Sequence, residues 1–226
     1  MRWLFLFLLF VVYGFQCNQD IEFDGSERLL LTGKVTSNEG VPLEGIHVGL
    51  YGTKDYPYID FMELINEIKT NNDGYFELIF SDPDIDELYL SINNQINDYQ
   101  NKNTLNKSFS NRIIEFNKSR FENFKYDITD YCKLDKGVEL ILINNSDGYA
   151  SISIESENNI KLDSFIPYFS GLFEYSLSKT ESMVSMQSIN STVIVSGYIS
   201  GYGVTNPHSF LDTLQLKDQS YQYVIK

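Results

Sequence analysis

The sequence predicts an all-β fold, and three observations lead to that prediction. Apolar residues recur at every second position: Leu29, Leu31, Gly33 and Val35 alternate with Leu30, Thr32 and Lys34; Ile46, Val48 and Leu50 with His47, Gly49 and Tyr51; Phe76, Leu78 and Phe80 with Tyr75, Glu77 and Ile79. A period of two sends neighbouring side chains to opposite faces of a strand. Strong turn signals separate these runs: Asn38-Glu39-Gly40, Asn72-Asp73-Gly74 and Ser146-Asp147-Gly148. Gly40, Asp73, Gly74, Asp147 and Gly148 are the structural turn residues, with Asp-Gly expected to close hairpins because Gly accepts positive φ without steric cost. Finally, 42% hydrophobic and 15% aromatic residues in a chain of 226 supply a packed core for one large or two small domains.

The chain opens MRWLFLFLLFVVYGFQC: one basic residue, Arg2, an apolar run over 3–13, a break at Gly14, then Cys17. The run is shorter than the roughly 20 residues a spanning helix needs, so a cleaved export signal over 1–16 is the better reading. Residues 17–27 are polar and acidic and read as a flexible tether. The opening resembles a bacterial lipoprotein signal. That resemblance implies diacylglycerol on the Cys17 thiol, cleavage just before it, and an anchor of several acyl chains. The chain departs from the family pattern with Gln16 and Gly14 before the cysteine; the alternative is ordinary cleavage after Gly14.

Further elements follow in order. In YIDFMELINEIK, Phe61, Leu64, Ile65 and Ile68 fall at i, i+3, i+4, i+7, which predicts a short helix inserted between strands. Residues 94–108 are polar and read as a long mobile loop. Strands are expected at 112–116, 124–129, 138–143, 149–154, 172–177, 192–199, 214–216 and 221–225, with a domain boundary near 134–137. NNDGYFELIF is similar to NNSDGYASIS, either as a weak internal repeat or as two turns of the same chemistry.

Leu31-Thr32-Gly33-Lys34-Val35, Gly40, Pro42-Leu43, Gly45-Ile46-His47-Val48 and Leu50, then Thr70 and Asp73-Gly74-Tyr75-Phe76, resemble the carboxypeptidase regulatory-like (transthyretin-like) domain. The match covers residues 29–92 and extends toward 133. It implies a β-sandwich of about seven strands and nothing specific about function. The insertion near 59–66 and the acidic run 81–87 are departures from that pattern. The domain plan is therefore signal 1–16, tether 17–27, a transthyretin-like β-sandwich with a short inserted helix over 28–133, and a second β-rich region over 134–226.

The formal charge is −14, and Arg2 is the only charge in 1–16, so the rest carries −15. Such a chain repels phosphate backbones and anionic headgroups, which excludes nucleic acid as a partner and leaves membrane attachment to the lipid. Cys132 is expected to be a buried thiol; it could pair with Cys17 only if Cys17 escapes lipidation. His47 and His208 are the only histidines, read as a strand residue and an exposed loop residue, and they cannot build a paired-histidine zinc site. Gly197, Gly201 and Gly203 read as a strand kink or bulge. Asn-x-Ser/Thr sequons begin at Asn106, Asn117, Asn144 and Asn190. Asp82, Asp84 and Asp86 are the candidate metal ligands, for calcium, against the alternative of a solvated turn. Tyr198, Tyr202, Tyr221 and Tyr223 are the candidate partner-binding residues, against the alternative of core packing.

No catalytic set is recognised. The sequence points to an exported, lipid-anchored protein of a Gram-negative envelope, at the outer membrane, that binds or scaffolds a protein or glycan without catalysis and without a cofactor. The alternatives are an accessory subunit or enzyme using 134–226, and a soluble secreted effector.

Overall fold

The computed structural model describes residues 23–53, 62–85, 87–94, 106–156, 159–162, 174–178, 182–200, 207–217 and 220–226. The fold among them is all-β. The first strands are β1 (Phe23–Lys34), β2 (Thr36–Ser37), β3 (His47–Thr53), β4 (Met62–Lys69), β5 (Tyr75–Pro83), β6 (Glu87–Ile92), β7 (Arg112–Asn117), β8 (Lys125–Asp127) and β9 (Lys133–Leu134). Next come β10 (Gly137–Asn144), β11 (Tyr149–Ser156), β12 (Asn159–Lys161), β13 (Glu174–Leu177), β14 (Ser182–Ser188), β15 (Thr192–Ser200), β16 (His208–Gln215) and β17 (Tyr221–Ile225).

Two sandwiches result. In the first, a sheet of order β5-β1-β8 faces one of order β12-β7-β6-β3-β4. β5 shows how the sequence sets the layers: Tyr75, Glu77 and Ile79 are exposed while Phe76, Leu78 and Phe80 are buried. These meet Leu50, Leu90, Ile114 and Phe116 from the other sheet in one core. Gly33 pairs with Phe76, and a Cβ on Gly33 would stand 2.6 Å from that ring, so the small residue makes room for the large one. In the second sandwich, β14-β10-β17 faces β13-β11-β15-β16 over an aliphatic core that includes Leu140, Leu142, Ile152, Val193, Val195 and Ile225.

The sandwiches are not consecutive in sequence. After β11 the chain returns to the first sandwich, where β12 pairs in parallel with β7. Ile160 and Leu162 pack against the first core, and the Arg120 guanidinium donates to the Leu162 carbonyl at 2.8 Å. The Ser110 amide donates to the Asp135 carbonyl at 2.9 Å and the Gly137 amide to Ser108 at 3.0 Å where the chain passes between the two bodies.

Three expectations need correction. Among the described residues of the predicted helix, Met62–Lys69 is instead strand β4, antiparallel to β3. Leu50 pairs with Asn66 and Tyr51 with Leu64, so Ile65 is the extra residue of a bulge. One inserted residue shifts the apolar positions from period two toward a helix-like spacing. Secondly, the predicted tether overlaps structure, because β1 begins at Phe23.

The third correction concerns the Asp-Gly turns, which do not close hairpins. β4 and β5 lie in different sheets, as do β10 and β11. The Asn71 side-chain oxygen accepts from the amides of Asp73 (3.0 Å) and Tyr75 (2.9 Å), while Asn144 Oδ1 accepts from the Ser146 amide (3.0 Å). This Asn-turn chemistry reverses the chain but does not decide whether the flanking strands pair. Both turns carry the chain from one layer to the other. β4 and β5 are edge strands while β10 and β11 are central, so the resemblance of the two segments is one of turn chemistry. Gly74 has φ +74, and a Cβ there would lie 2.4 Å from the Val35 carbonyl oxygen. Around Gly40 (φ +81) the chain does fold back on itself, with Ser37 donating to Val41 and Gly40 to Ser37.

Candidate functional site

Cys17, Asp86 and Tyr202 lie outside the described residues, as do Gly201, Gly203 and most of the loop expected at 94–108. Of the candidate metal ligands, Asp82 at the end of β5 forms an ion pair with Lys118 Nζ at 3.0 Å, without hydrogen-bond geometry. Lys118 also donates to the Pro83 carbonyl at 2.7 Å. Asp84 is exposed. Among the described residues no three His, Cys, Asp or Glu side chains stand close enough to share a metal ion.

His47 is a buried residue of β3 whose Nε2 lies 2.9 Å from Glu67 Oε2 on the neighbouring strand. His208 is not in a loop; it opens β16 and is exposed. Cys132 is buried with its thiol directed at the Ile128 carbonyl (3.2 Å), and burial pushes it up to about 12 against the pull of Arg112. A thiol so held stays protonated and unreactive at neutral pH. Asn144 is fully buried and its amide donates to the Gly148 and Leu177 carbonyls, both at 2.8 Å, so that sequon is structural. Gly197 shows no bulge. It sits in regular register between Ile152 and Phe210, and a Cβ there would be 2.6 Å from the Phe210 ring and 2.1 Å from the Ser151 carbonyl oxygen.

The described candidate tyrosines, Tyr198, Tyr221 and Tyr223, do not form one surface. Tyr223 on β17 packs against Phe210 of β16, ring centroids 6.4 Å apart, and its hydroxyl donates to the Asp212 carboxylate. Burial first, and then that carboxylate, push its phenol above the usual range. Tyr223 thus ties the edges of the two sheets together. Tyr221 lies two residues earlier on the same strand and is 37% exposed. Tyr198 is different. Val193, Val195 and Ile199 alternate inward on β15, which turns Tyr198 out, 45% exposed, onto the solvent face of the four-stranded sheet.

Tyr198 has a neighbour that the sequence reading missed. Tyr149 on β11 is 56% exposed, and Ala150, Ile152 and Ile154 point inward beside it. Tyr198 pairs with Ser151 and Tyr149 with Ser200, so the two rings are diagonal neighbours on adjacent strands, within reach of one extended ligand. The rest of the face carries hydroxyls, from Ser151, Ser153, Ser196, Ser209 and Thr213, together with Ile194 and Leu211. Ser153 Oγ is buried and has no hydrogen-bond partner among the described residues. Glu155 is the single formal charge among the outward residues of β11, β15 and β16. In a chain of net charge −14 these three strands present a sparsely charged, hydroxyl-rich platform with two tyrosine rings. The alternation Tyr149-Ala150-Ser151-Ile152 carried the signal: placing Ala150 and Ile152 inward leaves Tyr149 outside.

No family model matches the chain, and no curated protein is similar to it. Among solved structures, the chain is similar to the TIE protein of Bacillus anthracis (11% identity, TM-score 0.28, 88% of this chain and 33% of that one). It thus spans about a third of that protein's length. It is also similar to the shaft pilin SpaA of Lactobacillus rhamnosus GG (10% identity, TM-score 0.30, 88% and 96% covered). A third similar structure is a DUF3823 family protein of Parabacteroides merdae (12% identity, TM-score 0.28, 84% and 98% covered). At these scores the superpositions align strands without establishing a common fold.

Proposed function

We propose that this is an exported, lipid-anchored envelope protein that binds a neutral glycan on the outer face of its second sandwich, without catalysis. Export rests on the apolar opening segment, and anchoring on Cys17. The observation that carries the binding reading is the diagonal Tyr149–Tyr198 pair, on strands β11 and β15, in a region where Glu155 is the single formal charge among the outward residues of β11, β15 and β16 of a strongly acidic chain. A sparsely charged surface offers little to an ionic partner. Exposed tyrosines stack on the apolar faces of sugar rings while their hydroxyls, and those of the surrounding serines, exchange hydrogen bonds with the sugar. The first sandwich acts as the rigid mount, and the Asp82–Lys118 pair serves structure rather than calcium.

Two measurements test the reading. Retention of the purified protein on particles of insoluble neutral polysaccharides should fall roughly fivefold with Tyr198→Ala and with Tyr149→Ala, and should be unchanged with Tyr221→Phe. Equal retention of all variants, or retention by none of the polysaccharides, overturns the glycan reading. The intact mass of the mature protein tests anchoring separately: acyl mass on a chain starting at Cys17 supports it, and a bare chain starting at Phe15 contradicts it.

A further inference from the structure

We propose that β16 is the self-association edge of this protein, pairing antiparallel with β16 of a second copy to give one continuous sheet across a two-fold dimer. The inference uses the edge strand of the sheet, whose Leu211 also borders the face described above, and its test reads self-association rather than glycan retention, so the two readings fail separately.

β16 closes the four-stranded sheet at one end, and among the described residues no strand pairs with its outer edge. It is eight residues long and runs in unbroken register against β15, from Thr192–Gln215 to Ile199–His208. An edge of this kind is a template for another strand unless charges, prolines or bulges protect it. β16 contains no Lys, Arg, Pro or bulge. Its one acidic group, Asp212, is held by the Tyr223 hydroxyl. On its outward side stands Leu211, at 72% the most exposed large hydrophobic side chain among the described residues.

The strand is also self-complementary. With the two-fold axis at Leu211, the two Leu211 side chains face each other, Ser209 faces Thr213, and Phe210 faces Asp212. Moving the axis one residue, to Asp212, sets two carboxylates directly opposite, which is destabilising; the Leu211 register avoids this. Such a contact is isologous and closes as a dimer. The net charge of −14 opposes association at low salt, but repulsion between exposed charges is screened beyond about 8 Å at physiological ionic strength. The dimer is therefore held by backbone pairing and the leucine contact, and it tightens as salt is raised, the reverse of an ionic interface.

Sedimentation velocity on the purified protein over a dilution series, at low and physiological salt, tests this. The wild type should form a reversible dimer that strengthens with salt. Leu211→Asp and Leu211→Lys, each at an exposed position and checked for folding by circular dichroism, should each weaken dimerisation at least about tenfold. An equimolar mixture of the two should recover it, because Asp then faces Lys across the axis. A wild type that stays monomeric, variants that dimerise as well as the wild type, or a mixture no better than either variant alone overturns the proposal.

Discussion

The two sandwiches treat their edges differently. In the first, β4 carries Glu63, Glu67 and Lys69, and a bulge at Ile65 breaks its regularity. The Asn66 side chain crosses from β4 to donate to the Ile79 carbonyl on β5 (2.9 Å), satisfying a group at the edge of the opposite layer. β5 ends at Pro83 with a register shift against β1. At the far side, β12 covers β7. In the second sandwich, the edge strands β14 and β17 contain no charged residue, β16 contains only Asp212 and β13 only Glu174. Charged, bulged and covered edges resist pairing with other chains, and bare ones invite it. The first sandwich is therefore built as a closed mount and the second as the surface that touches other molecules.

The cores support the same division. The first contains Phe76, Phe80 and Phe116, and Phe116, Phe121 and Tyr126 pack in tilted and edge-on contacts at ring-centroid distances of 5.6–6.4 Å. Among the described residues, the buried hydrophobic residues of the second core are aliphatic, from Val138 to Ile225. The largest expected effect of a single change is accordingly in the first core: Phe76→Ala should cost about 3–5 kcal/mol in denaturant unfolding. A loss under about 1 kcal/mol would remove the mount from the comparison.

Next in size is Gly74→Ala, which should cost roughly 2–3 kcal/mol because it combines a positive φ with a 2.4 Å approach to backbone. Gly40→Ala meets nothing within 4 Å and should cost only about 1 kcal/mol. Equal losses would show that the close approach to Val35 is unimportant.

Alkaline pH sharpens the comparison further. Cys132 has a folded-state value raised from 9.0 to about 12. The folded state therefore binds this proton more tightly than the unfolded chain. The stability it contributes is fully present below pH 9 and is lost as pH rises toward 12. Cys132→Ala should flatten the stability profile of the first sandwich in that window, and Cys132 should resist thiol reagents until the protein unfolds. Fast labelling of the native protein at neutral pH contradicts this. The smallest effect is Tyr223→Phe, which keeps the ring on Phe210 but removes the hydrogen bond to Asp212; about 1 kcal/mol should be lost, from the second sandwich alone.

Much of the fold was legible because burial in a two-layer sandwich imposes strict alternation. β5 and β10 alternate without exception through their central residues, and 221–225 was recognised as a strand with the bounds of β17. β4 was hidden by its bulge. β12 was hidden because three residues carry no period and its partner, β7, precedes it by more than forty positions. The Asp-Gly turns were recognised but their strands were assigned to one sheet, since turn chemistry is local and sheet membership is not. Of the candidate site, Tyr198 was legible and Tyr149 was not, because their adjacency depends on the pairing of β11 with β15, a register that no sequence window contains.

Hydrogen–deuterium exchange of the full chain at low and high protein concentration tests the division between mount and contact surface most directly. The account predicts that amides of β16 become slower to exchange as concentration rises, while those of β4 and β5 do not change. Concentration-dependent protection at β4 or β5, or at none of the three, would contradict it.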